Sequence, residues 1–226
     1  MYETIAVIPA YNEERTIREV MIRCREVKTF PLVVDDASTD NTWNIANSEG
    51  IMVLRNYTNK GKGETIRLAF NHIKRYYNTC FSNIKYIVII DGDLQFNPHE
   101  IPNLIGELKN GADYVIGQRN WNCVPFRNMI GNMLWISIFN LIFGTDFKDT
   151  NCGFIAMNMN TMRRLKVSSG YIVDNDMLIQ AIRMRCRIKN VPVNVHYETG
   201  RNLFSGIRMV IGILIFILNK GMEGDK

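Results

Sequence analysis

The sequence predicts an α/β fold, a parallel or mixed sheet flanked by helices, on three observations. Short β-branched apolar runs alternate with longer segments of helical character, the order that builds parallel strands joined by right-handed crossovers. Several of those runs end on carboxylates or amides, which places polar side chains beyond the carboxyl ends of the strands, where open α/β sheets hold their ligands. The chain has 226 residues, 46% hydrophobic and 22% charged, enough for one sizeable domain with its own core and short for two.

The elements follow in order. Thr4 to Ile8 is an apolar strand, broken by Pro9-Ala-Tyr-Asn-Glu-Glu14, and a helix follows to about Val27. Phe30 to Val34 is the second strand and closes on Asp35-Asp36. Ser38-Thr-Asp-Asn-Thr42 is rich in cap residues and starts a helix. Ile51 to Leu54 is the third strand. Thr58-Asn-Lys-Gly-Lys-Gly63 is a basic glycine loop leading into a helix that runs to about Tyr77. Tyr86 to Ile90 is the fourth strand. Asn97, Pro98 and Glu100 form a helix-start signature of cap, N1 proline and N3 acid. Tyr114 to Gly117 is a fifth strand. The residues expected at the shared edge are Tyr11, Asn12 and Glu13, then Asp35 and Asp36, then Asp91 and Asp93, then Gln118 and Arg119.

The exit of the fourth strand carries the chemistry. Asp91-Gly92-Asp93 follows an apolar run at once, and two adjacent carboxylates repel and resist desolvation unless a positive charge lies between them. Asp91, Asp93 and the amide oxygen of Gln95 are hard oxygen ligands suited to Mg²⁺ or Mn²⁺, an ion that keeps positions open for substrate phosphates. Taken alone, Asp-x-Asp reads equally well as a polar turn with capping aspartates.

Composition narrows the function classes. A net charge of +5 suits an anionic ligand or membrane face and is too small to imply nucleic acid. Five scattered cysteines, an odd number with no Cys-x-x-Cys pair, argue against a disulfide framework or zinc site and fit a reducing cytoplasm. No basic region followed by an apolar one opens the chain, so no signal peptide is expected. Asn-Lys-Gly-Lys-Gly63 lacks the Gly-x-x-x-x-Gly-Lys-Ser/Thr pattern of a phosphate-binding P-loop. The histidines, at 72, 99 and 196, stand outside the motifs and read as structural or surface residues. Two later stretches are apolar, Met129 to Phe143 and Leu203 to Leu218. As helices each spans about 22–24 Å, short of the roughly 30 Å hydrocarbon core, so a spanning helix is not favoured. Met129 to Phe143 suits a membrane interface or the core equally. Leu203 to Leu218 leans toward membrane contact, with Arg201, Arg208 and Lys220 near anionic headgroups.

Five stretches occur in a telling order: Val7-Ile-Pro-Ala-Tyr-Asn-Glu13, Val33-Val-Asp-Asp-Ala-Ser-Thr-Asp40, Asn59-Lys-Gly-Lys-Gly63, Ile90-Asp-Gly-Asp-Leu-Gln95 and Asp149-Thr-Asn-Cys-Gly-Phe154. Together they resemble the family 2 glycosyltransferases of GT-A fold, a Rossmann-like mixed sheet flanked by helices that binds nucleotide-diphospho-sugars. The closer resemblance is to the dolichyl-phosphate mannose synthase branch. It covers about residues 4 to 206. It implies a catalytic domain over 1–202, with an apolar helix near 127–143 that suits the membrane interface as well as the core, and a C-terminal apolar or amphipathic helix over 203–226 at the membrane interface.

The resemblance implies the following roles. Pro9, Tyr11 and Glu13 line the nucleoside pocket, with Tyr11 against the base, and Asp36 accepts hydrogen bonds from the base. Asp91, Asp93 and Gln95 hold the metal that bridges the donor diphosphate, and Lys60 or Lys62 sits near the donor. Arg119 and Arg127 match basic positions that meet donor or acceptor phosphates. Asp174-Asn-Asp176 matches an acidic pair at the start of a late helix, with Asp176 in place of the more usual Glu and counted among the catalytic residues. The chain departs from the pattern at Ile155, where Arg is frequent, and at Tyr197-Glu-Thr-Gly-Arg-Asn202, a degenerate form of a late basic motif in which Arg201 supplies the charge. The implied activity is an inverting, Mg²⁺- or Mn²⁺-dependent transfer of a hexose from a nucleotide sugar, of the GDP-mannose or UDP-glucose type, to a polyprenyl or dolichyl phosphate. Its implied place is the cytoplasm, peripheral on the cytoplasmic face of the membrane. The alternatives are a glycan or lipid-linked oligosaccharide acceptor, a sugar-1-phosphate nucleotidyltransferase, which Pro9-Ala-Tyr-Asn-Glu13 disfavours by its lack of glycine, and a non-catalytic membrane-associated subunit.

Overall fold

The computed structural model describes residues 2–120, 126–168 and 173–196, with side chains from 132 onward in the second span. Its centre is a seven-stranded sheet in the order β3-β2-β1-β4-β6-β5-β7. The strands are β1 (Thr4–Ala10), β2 (Phe30–Asp35), β3 (Met52–Arg55), β4 (Tyr86–Ile89), β5 (Tyr114–Arg119), β6 (Ile155–Asn158) and β7 (Ile188–Val193). All neighbours pair in parallel except β6, which runs antiparallel to both β4 and β5. The helices are α1 (Ile17–Glu26), α2 (Thr42–Ser48), α3 (Lys62–Arg75), α4 (Ile101–Lys109), α5 (Phe126–Phe143), α6 (Met159–Arg164) and α7 (Val173–Arg183). Every residue of β1 is buried, as the apolar run from Thr4 requires of a strand flanked on both sides.

Strand order reverses between β1 and β4. On one side the chain steps out through β2 and β3, and on the other it continues through β6, β5 and β7. Such a switch point opens a crevice at the carboxyl ends of the two central strands. Here it receives the loops after Ala10 and after Ile89. The loops are stitched together: Gly92 N donates to Pro9 O at 3.2 Å, and Thr16 Oγ1 donates to Gly92 O at 2.7 Å. Antiparallel β6 begins at this same edge, with Ile155 opposite Ile89 and Ile116, so the loop Asp149–Phe154 arrives there too.

Two expectations are refined, and two strands are new. Strand β1 continues through Pro9 to Ala10, because its ladder with β4 ends at Val7 and Ile89 and the missing proline N–H leaves no β4 partner unpaired. The Asn97-Pro98-Glu100 signature makes a single 3₁₀ turn, with the Asn97 side chain accepting from His99 N at 3.1 Å, and α4 starts after it at Ile101. Strands β6 and β7 were not foreseen. β6 is only 4 residues long, and β7 carries Pro192 and the alternating burial of an edge strand. The described cysteines, Cys24, Cys80, Cys152 and Cys186, are free thiols, and burial pushes Cys24 up to about 12.

Asp113 ties the three late strands at the opposite edge. One oxygen accepts from Arg187 N at 2.9 Å and Arg187 Nε at 3.2 Å, and the other accepts from Asn158 Nδ2 at 3.1 Å. Burial raises this carboxyl, but the Arg187 and Asn158 donors outweigh burial and hold it below its ordinary 3.8. A depressed carboxyl stabilises the fold above its unfolded pKa and loses that contribution as pH falls through the folded value. Urea unfolding is therefore expected to show Asp113→Asn less stable by about 1–2 kcal/mol at neutral pH. The gap is expected to close only below 3.8, and a gap that closes between pH 7 and 5 contradicts the assignment.

Candidate active site

The crevice at the switch point is lined by Pro9, Ala10, Tyr11, Glu13, Asp36, Lys62, Thr65, Asp91, Gly92 and Asp93. Three edge loops and the first turn of α3 thus bring together seven of the residues singled out above, namely Pro9, Tyr11, Glu13, Asp36, Lys62, Asp91 and Asp93. Tyr11 is 43% exposed, a ring held at the mouth rather than in the core. The loops are tightly determined. Asn12, Ala37 and Leu94 hold positive φ at 57°, 61° and 59°, conformations that L side chains rarely adopt and that cluster at functional edges.

Lys62 opens α3 and reaches across the crevice. Its Nζ lies 2.9 Å from Asp91 Oδ1, 3.3 Å from Asp91 Oδ2 and 3.1 Å from Asp174 Oδ2. Burial alone disfavours the ammonium, but Asp174 and Asp91 outweigh it and raise the Lys62 pKa well above an ordinary lysine. Burial raises the Asp174 carboxyl, Lys62 opposes this, and Asp91 adds to it. Asp174 Oδ1 is buried with no hydrogen-bond partner among the described residues. The backbone at Gly153 comes so close that a Cβ there would lie 2.7 Å from Asp91 Oδ2 and 2.9 Å from Lys62 Nζ, so any side chain at this position would displace the pair.

The donor set suits a hard divalent cation. Asp91 and Asp93 present carboxylates at the mouth, and Gln95 braces Asp93, its backbone N donating to Oδ1 at 3.1 Å and its Nε2 to Oδ2 at 2.8 Å. In this arrangement Gln95 turns its amide nitrogen, not its oxygen, toward Asp93. Among the described residues no three His, Cys, Asp or Glu side chains converge as a metal cage. Two carboxylates with the remaining positions left to phosphates and water is the usual way a protein holds Mg²⁺.

Asp36 has work within the chain. Its Oδ1 accepts from Asn56 Nδ2 at 2.8 Å and Lys60 N at 3.0 Å, and its Oδ2 accepts from Gly61 N at 2.7 Å. One carboxylate therefore clasps both ends of the loop from Asn56 to Gly61, whose tip carries the fully exposed Tyr57. Lys60 reaches the site through its backbone, and Lys62 through its side chain. Beside it, buried Asp35 pairs with Arg55 at 2.9 Å, and the Arg55 guanidinium stacks on Trp43 at 5.0 Å.

Arg119 stands at the β5 exit in a two-pronged pair with Asp149, Nε to Oδ2 at 2.7 Å and Nη2 to Oδ1 at 3.0 Å. Asp176 is fully buried and accepts from Gln180 Nε2 at 2.9 Å, whereas Asp174 is the member of the acidic pair that meets Lys62. The side chain of Arg127, residue Arg201 and the stretch 203–226 lie outside the described residues. None of the histidines joins the site by its ring: His72 packs on Tyr76 and Phe81, His99 pairs with Glu26, and His196 gives only its backbone N, to Gln95 O. Sequence reading underrated Asp149 and Asp174. Asp149 was quoted only as the start of a motif. α7 is buried on most of its sides, so helical periodicity could not separate Asp174 from Asp176.

Helix α5 divides between two surroundings. Trp135 and Phe139 are in the core, while Met133, Leu134, Leu141 and Ile142 are 54%, 60%, 85% and 48% exposed. No helix among the described residues is long and apolar enough to cross a membrane.

Comparison with known proteins matches this geometry. The profile of glycosyl transferase family 2 matches residues 5–169. The chain belongs to glycosyltransferase family 2. An uncharacterized protein of Methanocaldococcus jannaschii is 31% identical over 86% of this chain and 88% of its own length. The dolichyl-phosphate beta-glucosyltransferase of Saccharomyces cerevisiae is 29% identical over 87% of this chain and 68% of its own. The undecaprenyl-phosphate mannosyltransferase of Micrococcus luteus is 29% identical over 89% and 87% respectively. Among solved structures, glucosyl-3-phosphoglycerate synthase of Mycobacterium tuberculosis, in complex with Mn²⁺, UDP and glucosyl-3-phosphoglycerate, shares the fold at a TM-score of 0.75 and 22% identity, over 95% of this chain and 79% of that one.

The Arg119–Asp149 pair is expected to be structural in this family 2 enzyme. Asp149→Ala strips a nearly buried guanidinium of its two-pronged acceptor, a loss of about 3–5 kcal/mol. For a domain of this size that lowers the melting point by roughly 10 °C. A melting point within 2 °C of wild type, on the scale of a surface change, refutes the structural role.

Proposed function

We propose that the enzyme transfers a hexose from a nucleotide sugar to a polyprenyl phosphate of the dolichyl type, with inversion, at the cytoplasmic face of a membrane. The observation that carries this reading is the crevice between β1 and β4, which Asp91 and Asp93 line together with Tyr11, Glu13 and Asp36. Relatives whose names specify dolichyl-phosphate and undecaprenyl-phosphate acceptors support the acceptor class. The exposed apolar side chains of α5 support a lipid-borne substrate.

Each group has a part in the proposed mechanism. Tyr11 offers a ring face to the base, and Pro9 and Glu13 wall the nucleoside. Asp91 and Asp93, with Gln95 beside them, would hold Mg²⁺ or Mn²⁺. When bound, such an ion stabilises the negative charge that grows on a departing nucleoside diphosphate. Lys62 adds a fixed positive charge at the same rim. A monoester phosphate acceptor has a second pKa of about 6 and is largely ionised near pH 7, so it needs orientation more than a general base. This agrees with the absence of a histidine ring from the described crevice.

The test is transfer of labelled sugar from GDP-mannose and UDP-glucose with Mn²⁺, using a short-chain polyprenyl phosphate and, separately, a free sugar acceptor. Product on the polyprenyl phosphate is expected, and product on the sugar alone overturns the acceptor class. Asp93→Ala is expected to lower turnover by at least about 100-fold with an unchanged circular dichroism spectrum. Retained turnover overturns the metal role. The membrane arm has its own check. The double change Leu134→Glu and Leu141→Glu removes apolar surface without touching the crevice, and is expected to weaken co-sedimentation with anionic vesicles. Unaltered sedimentation shows that this face of α5 does not meet lipid.

A further inference from the structure

Asp91 and Asp93 line the crevice, and a single lysine, Lys62, is already seated between Asp91 and Asp174. Both oxygens of Asp91 lie within 3.3 Å of the Lys62 ammonium, and Asp174 Oδ2 lies at 3.1 Å. The seat is built for it. Gly153 lets the backbone approach the pair closely, where a Cβ would displace both groups, and Thr65 Oγ1 donates to the Lys62 carbonyl at 2.6 Å in the first turn of α3. A lysine at a helix N-terminus gains nothing from the helix dipole, which favours negative charge there, so the carboxylates are what hold it.

Resting on the reading of Asp91 and Asp93 as metal ligands, we infer that Lys62 is an internal counter-cation that makes metal binding at this rim depend on the donor diphosphate. A divalent ion arriving alone must share Asp91 with the ammonium or displace it, and in both cases it meets like charge. A diphosphate brings negative charge of its own, so lysine and metal are both satisfied and the repulsion is offset. Metal and nucleotide then raise each other's affinity by the same factor, as linkage requires. Lys62 is a positioning residue on this account, and it favours entry of metal and nucleotide together over a metal-loaded resting enzyme. The rival is a plain structural bridge between Asp91 and the start of α7.

The two differ in metal affinity, which can be read without turnover. Mn²⁺ binding is followed by electron paramagnetic resonance of the free ion, at one pH, with protein alone and with UDP or GDP added. Wild type is expected to bind Mn²⁺ weakly alone and at least tenfold more tightly with one of the nucleotides. Lys62→Met, which keeps the stem and removes the charge, is expected to bind Mn²⁺ alone about tenfold more tightly than wild type and to show less gain from nucleotide. Lys62→Arg is expected to behave as wild type. Asp174→Asn leaves the ammonium to Asp91 alone and is expected to weaken Mn²⁺ binding, the opposite direction. Lys62→Met that binds Mn²⁺ no more tightly than wild type overturns the inference and leaves the metal assignment standing. If that variant does not fold, Asp174→Asn decides, and Mn²⁺ binding unchanged or tightened in it overturns the inference. Wild type that binds no Mn²⁺ with either nucleotide overturns the metal assignment and this inference with it.

Discussion

Charge crowding at one edge of the sheet is the constraint the rest of the molecule answers to. Asp35 at the end of β2, Asp36, Asp91, Asp93 and Asp149 in the loops beyond the strands, and Asp174 in the first turn of α7 gather at this edge, and each carboxylate removed from water is costly unless it is paired or hydrogen-bonded. The chain meets that cost differently each time. Asp35 takes Arg55, Asp149 takes Arg119, and Asp36 takes an amide and two backbone N–H groups. Asp91 and Asp174 share Lys62, and Asp93 takes Gln95. The bulk of the rim is thereby fixed, and the crevice keeps Asp91 and Asp93 where a ligand can reach them.

Topology makes the crowding unavoidable. Parallel strands all deliver their exits to the same side, and the reversal of order between β1 and β4 opens the gap there. The antiparallel β6 adds a segment that a purely parallel sheet would lack, its entry loop Asp149–Phe154. That loop carries the partner of Arg119 and the glycine against which Asp91 and Lys62 pack.

Much of this was legible beforehand. The alternation of apolar runs and helices predicted the sheet, and the exits of three runs predicted the edge at which Tyr11, Glu13, Asp36, Asp91 and Asp93 meet. What was not legible depends on contacts between distant segments. Asp36 lines the crevice as the sequence suggests, but its second task, clasping a loop that begins 20 residues later at Asn56, shows only in the fold. Asp174 and Asp176 are equivalent in composition, and only the approach of Lys62 from α3, 112 residues earlier, separates them. Pro9 reads as a strand breaker because the sequence does not reveal where the β4 ladder stops.

The apolar helix α5 gains its meaning from the same edge. Its buried Trp135 donates from Nε1 to Thr150 Oγ1 at 3.0 Å, and its Asn140 accepts from Phe147 N and donates to Phe147 O, at 3.0 and 2.9 Å. The three bonds land on Phe147 and Thr150, just before and within the loop Asp149–Phe154. A helix with one side in the core and the other exposed therefore holds the loop that carries Asp149 and Gly153. On the reading proposed above, lipid would meet the outer side of α5 while its inner side fixes the loop carrying Asp149, which is locked to Arg119. An acceptor phosphate carried by a membrane-anchored chain would then reach a rim whose geometry the anchoring helix itself helps to set. On that reading the enzyme would act on a membrane-held substrate although no helix among its described residues is long and apolar enough to cross the bilayer.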